Sequence, residues 1–224
     1  MKKVIAILLS LTMILGFAAC GNSASQTEQP STEDTSVESK ADTNSAENGT
    51  DMENTDNQDV QDHKVLVAYF SATGTTKGMA EYVANGLNAD IYEIVPEEPY
   101  TDADLNYNDN NSRTTIEMND PNARPAISGS VENMEQYDII FVGYPIWWGE
   151  APRIVSTFME SYDFSGKTIV PFCTSGGSGI GSSASNLERL TSGATWLDGR
   201  RLNGSDSQDT VMEWVNSLDL NLAE

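Results

Sequence analysis

Residues 64–77 read KVLVAYFSATGTTK, and this stretch decides the fold class. Residues 64–70 form an unbroken β-rich run, whose continuous apolar character predicts a strand covered on both faces. Ser71-Ala72-Thr73-Gly74-Thr75-Thr76 follows as a short polar turn, and behind it Met79, Ala80, Val83, Ala84 and Leu87 recur at helical spacing. The turn gathers hydroxyls and backbone N–H groups at the positive end of the helix dipole, an arrangement that receives anions, most often phosphate. Its spacing is neither that of a Gly-x-x-x-x-Gly-Lys-Ser/Thr loop nor that of Gly-x-Gly-x-x-Gly. An ordinary helix N-cap would use the same residue types.

Outward from this unit the chain keeps alternating. Residues 89–95 are a second strand candidate, and DIIFVG at 138–143 is a third. A helix is expected over 152–162, with Pro152 near its first turn. TIVPFC at 168–173 is a fourth strand, and Pro171 predicts that it ends early or bends. Residues 182–190 read as helix, and 194–202 hold a weak fifth strand broken by Gly199. The closing helix, 207–218, carries Val211, Trp214, Val215 and Leu218 on one stripe. Such alternation implies right-handed crossovers. The expected fold is a three-layer, doubly wound α/β domain with a five-stranded parallel sheet in the order 2-1-3-4-5. Residues 96–130 break the pattern: rich in Asn, Asp, Pro and Tyr, they show no clear helical stripe. They expand one crossover, as a variable loop or as an excursion beside the site.

Two further loops follow strand ends. Gly143-Tyr144-Pro145-Ile146-Trp147-Trp148-Gly149-Glu150 places two tryptophans in a loop, where flat aromatics can stack on a planar ring or fill core beneath. Thr174-Ser175-Gly176-Gly177-Ser178-Gly179-Ile180-Gly181 carries four glycines, which permit positive φ and close approach of the backbone to a ligand, or simply a flexible connection. In the order 2-1-3-4-5, strands 1 and 3 lie side by side at the switch point, where ligands bind at the strands' carboxyl ends. The first two loops follow those strands, and the third follows the adjacent one.

From residue 64 to about 218 the chain resembles the flavodoxin family. Ser71, Thr73, Gly74, Thr75 and Thr76 match the family's S/T-x-T-G-x-T loop for the phosphate of FMN. Pro145, Ile146, Trp147, Trp148 and Gly149 are similar to its second loop, where an aromatic covers the isoalloxazine ring. Thr174, Ser175, Gly176, Gly177 and Gly179 look like its third loop, without the aromatic that many flavodoxins place there; Tyr100 or Tyr107 from the excursion could cover the other face. The resemblance implies one- or two-electron shuttling by FMN with no dedicated catalytic residue and no metal, the protein setting the potential. Neutral phosphate donors, Glu150 and the acidic excursion would lower that potential, and a backbone carbonyl near Gly149 or Gly176 would face the flavin N5. Two other readings stand beside it: an NAD(P)H-dependent quinone or flavin reductase of the same fold, walled by 96–130, and a non-redox module using the cleft for a phosphorylated or aromatic ligand.

The ends of the chain add a location. Lys2 and Lys3 precede an apolar run to Ala19, and Phe17-Ala18-Ala19-Cys20 resembles a bacterial lipobox. Residues 1–19 are read as a lipoprotein signal peptide and Cys20 as the acylated residue, so the protein is expected outside the cytoplasmic membrane, held by lipid alone. Residues 20–62 have no aromatic residue and only Val37, Met52 and Val60 as large apolar side chains. They read as a disordered acidic tether with an r.m.s. reach of roughly 35 Å. Cys173 is the only other cysteine and is expected to be buried. Residues 63–224 form the domain; they hold 23 acidic and nine basic residues within a chain of net charge −22. That excess argues against nucleic acid as a partner. A redox protein or a small-molecule electron acceptor is the expected one. His63, the sole histidine, lies at the tether boundary and is expected to have no catalytic part.

Overall fold

The structure is a computed structural model that describes residues 63–220 and residue 222. The leader at 1–19, Cys20 and the tether up to residue 62 lie outside the described residues.

The central sheet is built from β1 (Val65–Tyr69), β2 (Asp90–Glu93), β5 (Ile139–Pro145), β6 (Thr168–Thr174), β7 (Thr195–Trp196) and β8 (Arg200–Leu202). All its pairings are parallel, in the order β2-β1-β5-β6, with β7 and β8 both on the outer side of β6. This is the expected doubly wound order. Two helices, α1 (Thr75–Leu87) and α5 (Gln208–Asn216), cover one face; α3 (Arg153–Glu160) and α4 (Ser183–Glu188) cover the other. The strands feed both layers by alternation. Val65, Val67 and Tyr69 pack with Met79 and Val83 of α1 and Val211 and Trp214 of α5, whereas Leu66, Ala68 and Phe70 pack with Ile154 and Phe158 of α3 and Leu187 of α4.

Three details depart from the sequence reading. Pro171 does not end its strand, which runs on to Thr174. Ile169 and Lys167 accept ladder bonds from the edge segment through Leu197 N and Thr195 N, so odd-numbered residues of β6 turn their main-chain groups that way. Pro171 therefore directs its missing N–H at the edge. There Ile169 pairs with Trp196 and Phe172 with Arg200, leaving three residues opposite two. The proline is tolerated because the edge bulges past it, and that bulge splits the fifth position into β7 and β8.

The second strand is also shorter than expected. Val95 leaves the main sheet and, as β3 (Val95–Pro96), pairs antiparallel with β4 (Ile127–Ser128) to close the base of the excursion. Within the excursion lies a helix the sequence did not announce, α2 (Arg113–Asn119), N-capped by Ser112. It buries Thr114, Thr115 and Met118, so hydroxyls stand where an aliphatic stripe would have revealed it.

Candidate functional site

The loops after β1, β5 and β6 converge at the carboxyl edge of the sheet around a cavity of about 320 Å³, within the usual range for small-molecule sites. Thr73, Thr75, Thr76, Pro145, Ile146, Trp147, Thr174, Ser175 and Gly176 line it, with Ala72 beside them and Leu105 and Tyr107 from the excursion. Ser71, Gly74, Trp148, Gly149, Gly177 and Gly179 belong to the same loops but stand outside the lining.

At one pole is the start of α1. Gly74 is the N-cap at φ +86, a left-handed conformation that glycine takes without strain. No side chain caps the helix and no acidic residue occupies its first turn, so first-turn N–H groups face the cavity side uncompensated. Ser71 closes the loop by accepting the Gly74 N–H at 3.1 Å, and the hydroxyls of Thr73 and Thr75 stand 3.5 Å apart. Thr76 is placed differently: its buried hydroxyl shares a 2.8 Å bond with that of Thr174, tying the first loop to the third.

The second loop gives its two indoles opposite settings. Trp147 is 3 % exposed and sits edge-on to Phe70 and Tyr100, at 5.4 and 5.3 Å between centroids. Trp148 is 41 % exposed. It rides a two-residue turn with φ +49, followed by Gly149 at φ +83, a type I′ geometry closed by reciprocal bonds between Trp147 and Glu150. A bulky residue in that conformation costs on the order of 1–3 kcal/mol and persists only where its surroundings enforce it. Here they do. Glu150 accepts from Ser182 Oγ at 3.1 Å and from Asn186 Nδ2 at 2.7 Å, pinning the turn to α4. The carboxylate thus faces the helix and is not part of the cavity lining.

The third loop also differs from expectation. Only Gly181 is left-handed, at φ +55; Gly176, Gly177 and Gly179 are not, and a Cβ on any of the three would meet nothing within 4 Å. Ser175 folds the loop on itself, its Oγ donating to Ser178 O and accepting from Gly177 N.

The family model described as flavodoxin matches residues 64–218. The chain belongs to the flavodoxin family. Among solved structures, it is 48% identical to a flavoprotein candidate from Bacteroides eggerthii, covering 70% of this chain and 98% of that one at a TM-score of 0.67. A flavoprotein candidate from Bacteroides uniformis is 47% identical over 69% of this chain and 98% of its own, at a TM-score of 0.66. A Lactobacillus acidophilus flavoprotein solved in complex with FMN shares the fold at 23% identity and a TM-score of 0.51, covering 68% of this chain and 99% of that one. No curated protein matches the chain.

The excursion brings an aromatic residue to the rim of the cavity. Tyr107 is 58 % exposed and touches Trp148, with ring centroids 4.8 Å apart and planes inclined by 39°. Tyr100, the other tyrosine considered for the ring's second face, goes to the floor instead. It packs on Phe70 and Trp147, donates to Glu117 Oε2 at 2.7 Å, and carries the Arg113 guanidinium 4.2 Å over its ring. Burial, then the Glu117 carboxylate, push its phenol far above the usual value. Leu105 was not legible as a site residue; a lone leucine in an Asn/Asp-rich run carries no periodic signal.

Among the described residues, no Asp, Glu, His, Lys or Arg lines the cavity. Its one titratable group is Tyr107, whose phenol burial raises further, so it stays neutral near pH 7. Lys77, in the first turn of α1, lies 3.7 Å from Glu93. His63 stands 3.6 Å from Asp138, at the opposite, amino-terminal end of β5, and takes no part in the site.

Proposed function

We propose that this domain binds FMN and serves as an electron carrier, exported and tethered to the outer face of the cytoplasmic membrane through Cys20. The observation that carries the reading is the pairing of two poles around one cavity. An uncapped, acid-free helix start with neutral hydroxyls suits a terminal phosphate, and a rim of Trp148 and Tyr107 suits a flat conjugated ring. Bound FMN would supply a centre that accepts and returns one or two electrons.

The remaining work falls to the chain. Thr73, Thr75 and the first N–H groups of α1 would hold the phosphate with partial charges only. The domain's acidic excess would stay uncompensated, which disfavours adding negative charge at the site and favours a low potential. Floor residues Trp147, Ile146 and Leu105 would exclude water from beneath the ring. Since Tyr107 is the one titratable side chain of the described lining, protons taken up with electrons would come chiefly from solvent, as suits a carrier better than a dedicated catalyst.

A second reading, an NAD(P)H-dependent quinone or flavin reductase, has one observation in its favour: Leu105 and Tyr107 wall the cavity from the excursion. Steady-state reduction separates the two. Rapid flavin bleaching by NADH would establish the reductase; bleaching only by dithionite or a reduced protein partner supports the carrier. Tethering rests on the lipobox-like Phe17-Ala18-Ala19-Cys20 and the acidic segment after it. Metabolic labelling with a radioactive fatty acid tests it, since Cys20→Ala should abolish incorporation.

A further inference from the structure

A second cavity, of about 330 Å³, lies among α3, α4 and the segment that follows α2. It shares no lining residue with the cavity at the carboxyl edge of the sheet, and its size is at the small end of the range for ligand sites. Among the described residues, three ionisable side chains line it, and they differ in condition. Arg124 is spent. Its Nε and Nη2 bind the Glu160 carboxylate at 2.7 and 2.8 Å, and its Nη1 binds the carbonyls of Pro121 and Ala123. Arg153 is half-buried and donates to the carbonyls of Glu117 and Met118 through Nε and Nη2, at 3.4 and 3.0 Å. Among the described residues its Nη1 has no acceptor and no carboxylate pairs with it. Glu150 is the converse: it accepts from Ser182 and Asn186, both neutral donors, and no described cation pairs with it.

Ser156 of α3 is the second observation. It is 5 % exposed and lines the cavity, and its hydroxyl has no hydrogen-bond partner among the described residues. A buried hydroxyl left without a partner is costly, and a ligand that bonds it relieves that cost. Pro121, Ala151, Leu187 and Leu190 make an apolar wall beside these groups.

The set discriminates among ligand chemistries. A simple anion would meet Arg153 but also the Glu150 carboxylate. A simple cation would meet Glu150 but also the guanidinium of Arg153. An apolar molecule would strip water from both charges and give neither a partner. A small zwitterion answers every group at once. Its carboxylate fits the open edge of the Arg153 fork, its ammonium fits Glu150, and an apolar side chain fits the leucine wall. The geometry points to a binding site for a free α-amino acid with an apolar side chain, in the cavity between α3 and α4. Arg153 and Ser156 donate to the ligand's carboxylate, and Glu150 accepts from its ammonium. Glu150 also pins the second loop to α4, so the bound amino acid joins the bonds that hold that loop. The site goes beyond the electron-carrier reading and does not depend on FMN.

Isothermal titration of the full chain with L-leucine tests the site, with isocaproate and isoamylamine as probes that lack the ammonium and the carboxylate respectively. No FMN is added, so the outcome leaves the FMN reading untouched. Leucine should bind saturably, and each half-ligand at least about ten-fold more weakly, for want of one charge-assisted contact. Arg153→Gln should weaken leucine at least about ten-fold and Ser156→Ala about three-fold, with urea midpoints taken without ligand to show that both chains fold. The half-ligand series needs no variant and decides the matter even where Arg153→Gln does not fold. Absence of leucine binding up to about 10 mM overturns the proposal. So does isocaproate binding as tightly as leucine, which would describe an anion site in which Glu150 has no part. Unchanged leucine affinity in folded Arg153→Gln and Ser156→Ala chains would put the ligand elsewhere and overturn it as well.

Discussion

The floor and the rim of one cleft are built from neighbouring residues, yet different forces set them. Trp147 and Trp148 are adjacent in sequence; one is packed among Phe70 and Tyr100, the other stands in solvent against Tyr107. Dispersion and burial decide the first, with the surrounding side chains belonging to the core on the α3 side of the sheet. Backbone geometry decides the second: the left-handed turn aims Trp148 away from the core, against its hydrophobic preference and at a conformational cost. A floor of this kind stabilises the fold and shapes the cavity. A strained rim contributes little to folding and stays available for a ligand.

Exchanging the two indoles for alanine should separate these roles. Trp147→Ala should lower folding stability by about 3–5 kcal/mol, as for other buried large-to-small changes, visible as a shifted urea midpoint. Intact stability with lost FMN binding would break the comparison by making Trp147 the ligand platform. Trp148→Ala should leave stability within about 0.5 kcal/mol while weakening FMN by about 1–3 kcal/mol, comparable with other aromatic stacking losses; isothermal titration checks the second part.

The core on the α3 side of the sheet also carries a pH signature, at Cys173 of β6. Burial pushes the Cys173 thiol up to about 12. In the unfolded chain a thiol ionises near about 8.5, so the unfolded state loses a proton that the folded state keeps. Stability from this group is fully present below about pH 8.5 and declines as pH rises toward the folded value. Between about pH 8.5 and 10, before tyrosines titrate, urea unfolding should show this fall, and the Cys173→Ala chain should lack it.

The smallest effect concerns charge. A phosphate held by lysine or arginine is released as salt rises; one held by neutral donors in an acidic domain is repelled from a distance and gains from screening. FMN affinity should therefore rise slightly, by less than about three-fold, as NaCl goes from about 50 to about 500 mM. A fall would reveal a cation at the phosphate pole.

How much of this could be read beforehand follows the same division. The sheet order, the two faces and the convergence of three loops follow from period and punctuation: unbroken apolar runs at 64–70 and 138–143, and a stripe from Met79 to Leu87. Pro171 misled, because tolerance of a missing donor depends on which neighbour it faces, and only the bulge at the edge shows that. The helix α2 was hidden because its buried face is largely threonine. Which tryptophan would be buried was not legible either. The decision rests with the turn at Trp148 and Gly149 and with its distant partners Ser182 and Asn186, and no local pattern records either. Tyr100 and Tyr107 could both be named from the absence of an aromatic in the third loop; that Tyr100 packs against Trp147 and Tyr107 against Trp148 is decided by tertiary contacts and leaves no local pattern.

The most direct test of the account is an FMN titration of the full chain and of Trp148→Ala, followed by quenching of flavin fluorescence. The account expects saturable one-to-one binding by the unaltered chain, and weaker binding by Trp148→Ala with an unchanged unfolding midpoint. A chain that leaves FMN fluorescence unquenched at micromolar concentration, or a Trp148→Ala chain that binds as tightly as the original, would contradict it.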